Sequence, residues 1–67
     1  MEFLKAFRKE KGLTTKQMAI ALKISNSLYE KVEGNFRTPS QNFLRRFKKT
    51  FPDVDMNIFF EQSNQNN

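Results

Sequence analysis

The chain has 67 residues, with twelve lysines and arginines against seven aspartates and glutamates, a formal net charge of +5 and a sequence pI of about 9.9. It contains no cysteine and no histidine, which excludes disulfides and removes the usual zinc, iron and copper ligands and the commonest general base. This composition argues against an enzyme, a metal site or another cofactor. The excess of basic residues favours a polyanionic binding partner, nucleic acid first and an anionic membrane second. The alternative is that the net charge serves only solubility.

The first two predicted helices share one pattern, an apolar face opposite a charged or polar one. This pattern predicts helices over residues 2–11 and about 15–22. Gly12 suits a left-handed position just after the first helix, and Thr14 and Gln17 have the spacing of a capping box at the start of the second. The apolar faces carry Phe3, Leu4 and Phe7 in the first helix and Met18, Ala19 and Leu22 in the second.

Three more helices are predicted after Lys23, where the chain turns. Their spans are about 26–33, 41–50 and 56–61, and the capping residues before them are Ser25, Ser40 and Asp55. Their inward-facing apolar residues are Leu28, Tyr29 and Val32, then Phe43, Leu44, Phe47 and Phe51, and last Ile58 with Phe59 or Phe60. No stretch alternates apolar and polar residues as a strand does, so we predict an all-α, compact five-helix bundle. One domain is expected over residues 1–61, followed by a polar, disordered tail at 62–67.

The second and third helices are joined so closely that they can cross steeply only over a small side chain. Ala19 stands where that contact would fall, and a larger residue there would push the two helices apart. The spacing therefore predicts a helix-turn-helix rather than a long helical hairpin.

Three segments, LKAFRKEKGLT, QMAIALKIS and YEKVEGNFRTPS, resemble the Cro/C1-type (XRE) helix-turn-helix family of phage and bacterial repressors. The positions in family order and spacing are Arg8, Gly12-Leu13-Thr14, Ala19, Leu22, Ile24-Ser25, Glu33 and Pro39-Ser40. The resemblance covers about residues 3–60 and implies a lambda-repressor-like DNA-binding domain whose helix-turn-helix is formed by helices 2 and 3. The sequence departs from the family pattern in three places. Lys23 occupies a turn position where glycine is commonest, and Tyr29 replaces the usual Ile or Val in the third helix. Gly34-Asn35 reverses the usual order, which is a variable residue followed by glycine.

The resemblance assigns base reading to the third helix, whose first residues enter the major groove. The implied base-reading residues are Ser25, Asn26, Ser27, Glu30 and Lys31. The Asn26 amide can read adenine, Lys31 can read guanine or bind a phosphate, and Glu30 can accept from cytosine. The alternative is a solvated helix face without a binding role.

Phosphate contacts are implied around this helix. The matching residues are Thr15 at the start of the second helix, Arg37 after the third, and Gln41 and Asn42 at the start of the fourth. Arg45 joins them as the residue nearest the helix N-terminus in a basic run, Arg45-Arg46 and Lys48-Lys49, which is either a phosphate-binding strip or a solvated face. Arg8 and Glu33 match a family pair that forms a structural salt bridge.

Together these features predict a cytoplasmic, sequence-specific regulator that binds double-stranded DNA, a repressor acting by operator occupancy. A homodimer on a two-fold symmetric operator is expected, through the C-terminal helix region, because Met56, Phe59 and Phe60 cannot all face inward. Phe36, in a polar loop, either covers the edge of the core or belongs to a contact surface. Two alternatives stay open: a protein-interaction module on the same fold, either antitoxin-like or an anti-repressor partner, and a basic membrane-surface peptide around residues 40–51.

Overall fold

A computed structural model of the protein describes the backbone of residues 1–63 and the side chains of residues 1–60. This part of the chain folds into five α-helices and contains no strand: α1 (Glu2–Glu10), α2 (Thr15–Leu22), α3 (Asn26–Glu33), α4 (Gln41–Thr50) and α5 (Asn57–Ser63). The all-α, five-helix prediction is confirmed. The fifth helix begins one residue later than predicted and continues two residues further, so residues 62 and 63 are helical rather than part of a disordered tail. The rest of the predicted tail, 64–67, lies outside the described residues.

Side-chain caps set the starts of three helices where the sequence predicts them. Thr14 Oγ1 accepts from the backbone N–H of Gln17 at 3.1 Å while Gln17 Oε1 accepts from the N–H of Thr14 at 2.9 Å, which completes a capping box on α2. Ser25 and Ser40 cap α3 and α4 in the same way, accepting from the third residue beyond them at 3.0 and 3.1 Å. Each such cap stabilises its helix by about 1 kcal/mol.

Left-handed backbone appears at three chain turns within the described residues. Gly12 follows α1 with φ of +73°, Lys23 joins α2 to α3 with φ of +60°, and Asn35 follows α3 with φ of +67°. Gly34, by contrast, has φ of −83°. The reversed Gly34-Asn35 order therefore puts Asn35, which tolerates the left-handed region, where the chain needs it.

The core is built mainly from aromatic and aliphatic residues of all five helices. Its buried members are Leu4, Met18, Ala19, Leu22, Tyr29, Val32, Phe43, Phe47 and Phe59. Phe47 is central: its ring centroid lies 5.1 Å from Phe59, 5.2 Å from Phe51 and 5.4 Å from Phe7. Large rings of this kind bury the most area per residue, which a domain of this size needs.

The helix pair α2 and α3 is packed closely, and α2 also packs on α4 while α1 packs on α3. Ala19, 1% exposed, is one of the three buried residues that α2 contributes, as the crossing argument requires. Of the three C-terminal apolar residues, Phe59 is buried, Met56 is half-buried and Phe60 is 54% exposed. Phe36 is 85% exposed and lies against Gly34, so it does not cover the core.

Candidate nucleic-acid interface

One face of α3 is polar and fully open to solvent. Four of the predicted base-reading residues are exposed on it: Asn26, Ser27, Glu30 and Lys31. Asn26 and Glu30 are four residues apart, as are Ser27 and Lys31, so the four form two adjacent rows on the helix. Tyr29 and Val32 point the other way and are buried. The structure therefore brings these four side chains together on a surface that a groove can receive.

Ser25 lies at the start of this face but already has a structural role. Its Oγ accepts from the Leu28 N–H at 3.0 Å as the N-cap of α3. The hydroxyl hydrogen is still able to donate, because the cap uses only an acceptor lone pair. Any base contact by Ser25 is thus restricted to donation from a fixed position.

Thr15 and Glu30 are joined by a hydrogen bond across the two helices. The Thr15 hydroxyl donates to Glu30 Oε2 at 3.3 Å. Thr15 is the first residue of α2, so the carboxylate lies beside a helix N-terminus, where a negative charge is favourable. Sequence reasoning gave both residues a DNA contact but did not foresee that they contact each other.

The predicted phosphate contacts beyond α3 are exposed as well. Arg37 lies in the loop after α3, where its backbone N–H donates to the Lys31 carbonyl at 3.2 Å. Gln41, Asn42 and Arg45 occupy the first turns of α4, all three exposed. Arg45 is four residues from Gln41 and three from Asn42, which puts the three side chains on one side of the helix.

The basic run of α4 does not form a single strip. Arg45 is exposed, whereas Arg46 is half-buried and turns toward the end of α2 together with Lys49. Lys48 Nζ donates to the Pro52 carbonyl at 3.4 Å. The four charges of the run therefore do not share one exposed surface, because consecutive residues of a helix point in different directions.

A charged network fixes the end of α3 to α1. Arg8 Nε and Nη2 donate to the two oxygens of Glu33 at 2.8 and 3.2 Å, and Arg8 Nη1 donates to the Leu13 carbonyl at 2.8 Å. The predicted Arg8–Glu33 salt bridge is thus present, with side chains only 12% and 11% exposed. The amino group of Met1 also donates to the Glu33 carbonyl. Bidentate geometry of this kind orients both partners, so the network holds the helix that carries the polar face.

Tyr29 completes this network, which sequence reasoning missed. Its hydroxyl donates to Glu33 Oε2 at 2.7 Å, and the signal was available, because residues four apart on a helix meet. Burial and this bond raise the pKa of the Tyr29 hydroxyl well above its ordinary value. Burial alone would raise the pKa of Glu33, but the hydrogen bonds from Arg8 and Tyr29 and the Arg8 charge outweigh it and lower that pKa. The hydrogen bond to Glu33 likewise raises the pKa of Arg8.

The described part of the chain lacks two further features. No group of three or more acidic, cysteine or histidine side chains there is placed to hold a metal ion. None of the described helices has the length and apolar character needed to cross a bilayer.

Comparison with known proteins found no family model, no curated protein and no solved structure that matches the chain.

Proposed function

We propose that this protein is a sequence-specific, double-stranded DNA-binding regulator of transcription that acts as a repressor by occupying its operator. In this proposal α2 and α3 form a helix-turn-helix. The α3 face carrying Asn26, Ser27, Glu30 and Lys31 lies in the major groove, with Ser25 donating from its start. The resemblance to Cro/C1-type repressors supports the same assignment.

The observation that carries the proposal is the exposed polar face of α3 on a rigidly held helix. The helix is capped by Ser25 at one end and fixed by the Arg8–Glu33 pair at the other. Base reading needs side chains whose positions are set before DNA arrives, because ordering them on binding costs free energy. The amide of Asn26 supplies the donor and acceptor pair that adenine requires.

Phosphate binding is proposed for polar groups around this face: the half-buried Thr15 and the exposed Arg37, Gln41, Asn42 and Arg45. Arg37 and Arg45 bring positive charge, and the starts of α2 and α4 bring unpaired backbone N–H groups. Phosphate contacts set the register of the protein on the duplex, while base contacts select the sequence. With a net charge of +5, binding is expected to weaken steeply as salt rises, because each neutralised phosphate releases counterions.

The test is selection of bound sequences from a random duplex pool, preceded by a titration against random duplex in about 50 mM salt. The expected results are measurable binding and an enriched sequence. Two enriched half-sites about 10 base pairs apart would also support the proposed homodimer on a two-fold operator. Absence of binding in low salt would refute the proposal.

A matched pair of variants shows whether the proposed surface is the one used. Arg37→Gln is expected to reduce the salt dependence of binding by about one phosphate contact. Lys5→Gln removes the same charge from an exposed site on α1 outside the proposed interface and is expected to leave that slope nearly unchanged.

A second candidate is a protein-interaction module on the same fold, and the exposure of Phe36 favours it. A large aromatic residue 85% exposed in a polar loop is a common anchor at protein interfaces. The selection separates the two functions, because an interaction module of this kind binds duplex only through its charge and enriches no sequence.

A further inference from the structure

A small cleft lies between the end of α2 and the second half of α4, and no role has been given to it above. It has a volume of about 170 Å³ and is lined by Ala21, Leu22, Lys23, Arg46, Lys49 and Thr50. None of these six belongs to the proposed base-reading or phosphate-contacting set. Three of the six are cations, and no Asp or Glu lines the cleft among the residues that the structure describes.

Arg46 brings an unpaired donor to this cleft. Its Nε is buried, and no acceptor lies within hydrogen-bond distance among the described residues. Leaving a buried charged N–H unpaired is costly, so such groups in native proteins normally meet a protein acceptor, a water or an ion. Because the Nε itself is closed to solvent, a partner that enters the cleft would contact the other guanidinium nitrogens of Arg46.

The end of α2 does not supply that partner. Cations are often found at helix C-termini because they neutralise the last carbonyl groups. Here three of the last four carbonyls already accept from other donors: Ala19 O from Ile24 N–H at 3.0 Å, Ile20 O from Lys23 N–H at 3.0 Å, and Ala21 O from the Thr50 hydroxyl at 3.3 Å. The ammonium groups of Lys23 and Lys49 have no hydrogen bond or ion pair to another described residue. Capping of these three carbonyls therefore does not account for the three cations.

We infer that this cleft binds a phosphate group, held by the guanidinium group of Arg46 and by the ammonium groups of Lys23 and Lys49. A guanidinium and two ammonium groups are the donors that proteins use for phosphate oxygens. A water occupies about 30 Å³ in the liquid, so a cleft of about 170 Å³ has room for a phosphate of five heavy atoms. The site is independent of the proposed base-reading face. Two sources can supply its phosphate: a small phosphorylated molecule or the DNA backbone.

Phosphate binding in the cleft is expected to affect the turn between α2 and α3. Lys23 is the left-handed residue that joins these helices, and a bound phosphate attracts its side chain to α4. A ligand that binds only the folded state stabilises it by RT ln(1 + [L]/Kd), where [L] is the free ligand concentration. Phosphate binding is therefore expected to raise the melting temperature of the free protein.

The experiment follows the Arg46 Nε–H signal by NMR in the free protein as inorganic phosphate or pyrophosphate is added at constant ionic strength. The expected result is a saturable shift that sodium chloride does not produce. A shift with the free anions identifies a small-molecule site, and a shift that appears only when duplex DNA is added identifies a backbone phosphate. No shift in either titration, or the same shift with chloride, would overturn the proposal.

Variants of two of the three donors, with one control, test the site. Lys49→Gln is expected to weaken phosphate binding about tenfold, whereas Lys48→Gln, which removes the same charge one residue away and outside the cleft, is expected to leave it unchanged. Arg46→Lys keeps the charge but removes the guanidinium group, and is expected to weaken binding by at least the same factor. Equal effects of Lys49→Gln and Lys48→Gln would show that the net charge alone attracts phosphate, and would overturn the proposed site. Because the free-anion titration contains no DNA, its outcome is separate from that of the proposed regulatory function.

Discussion

Tyr29 and Glu33 lie one turn apart on α3, and the Tyr29 hydroxyl donates to Glu33 Oε2 at 2.7 Å, the same atom that accepts from Arg8 Nε. One carboxylate thus binds a buried phenol and a guanidinium at once. This explains why a tyrosine can stand in the core of α3, where the resembling family has Ile or Val. The buried hydroxyl is satisfied by the residue that also fixes the helix to α1.

Glu33→Gln is expected to lower the free energy of unfolding by about 3 kcal/mol, since it leaves the poorly exposed Arg8 without its countercharge. Urea denaturation followed by circular dichroism measures this loss. Glu10→Gln is the matched control, because Glu10 is exposed on α1 and its replacement is expected to change stability by less than about 0.5 kcal/mol. Equal effects of the two variants would contradict a structural role for the Arg8–Glu33 pair.

The carboxylate of Glu33 also predicts part of the loss of stability that is expected in acid. Its pKa is lowered in the folded protein, whereas in the unfolded chain it has the ordinary value of about 4.3. The ionised Glu33 therefore contributes its full stabilisation above about pH 4.3, and this contribution is lost as the pH falls through the lower, folded-state pKa. Between pH 6 and 2, the free energy of unfolding of Glu33→Gln is expected to fall less than that of the parent protein. Parallel curves for the two proteins would contradict this linkage.

Ala19→Leu tests the close packing of α2. Ala19 is only 1% exposed, so a larger side chain overpacks the site and is expected to cost about 1–3 kcal/mol of stability. Ala6→Leu is the control, because Ala6 lies on the exposed side of α1 and the same larger side chain there extends into solvent. If Ala19→Leu left the melting temperature unchanged, the site around Ala19 would have space for a larger side chain, which would contradict the close packing of α2.

Gly12→Ala isolates the cost of a left-handed turn. Gly12 has φ of +73°, and an added Cβ would meet no atom within 4 Å, so the expected loss of about 1 kcal/mol is backbone strain alone. For a domain of this size the melting temperature should fall by about 4–8 °C. In Gly34→Ala the backbone is unstrained, and the new Cβ lies 3.0 Å from the exposed Phe36 ring, which can move away, and 3.1 Å from the backbone oxygen of Glu30, which must shift by a few tenths of an ångström. Gly34→Ala is therefore expected to lose less stability than Gly12→Ala. A lower melting temperature for Gly34→Ala than for Gly12→Ala would contradict this expectation.

Asn26→Ala is expected to reduce discrimination at one base pair by about 1–3 kcal/mol while the fold is retained. Asn26 is exposed, so its replacement leaves the core untouched. Competition between the selected site and single-base variants of it, with circular dichroism as the check on folding, measures the effect. An unchanged preference at every position would remove Asn26 from the base-reading residues.

The sequence predicts the helices best where a side chain sets the boundary. Thr14, Ser25 and Ser40 are local signals, each bonding to a backbone N–H three residues away, and the helices after them begin and end as predicted. The end of α5 has no such signal. Once a helix has formed, adding polar residues to it costs little, so the apolar pattern ended before the helix did.

What the sequence does not predict depends on how the helices meet. Arg45 and Arg46 are adjacent and chemically identical, yet only Arg46 lines the cleft beside α2. The hydrogen bond from Thr15 to Glu30 joins residues fifteen apart, and nothing in their local spacing indicates it. Such contacts follow from the crossing of α2 with α3 and α4, which periodicity leaves undetermined.

The bond between Thr15 and Glu30 has a consequence for the order of events on DNA. Under the proposed function, a backbone phosphate that takes the Thr15 hydroxyl displaces the protein's own carboxylate from it. Glu30 is then released toward the bases just as the backbone is engaged, free to accept from a cytosine and repelled where no donor is present. DNA without a cytosine at that position must displace the same internal anion and offers no donor in return, so under the proposed function this hydrogen bond disfavours binding there by about 1 kcal/mol.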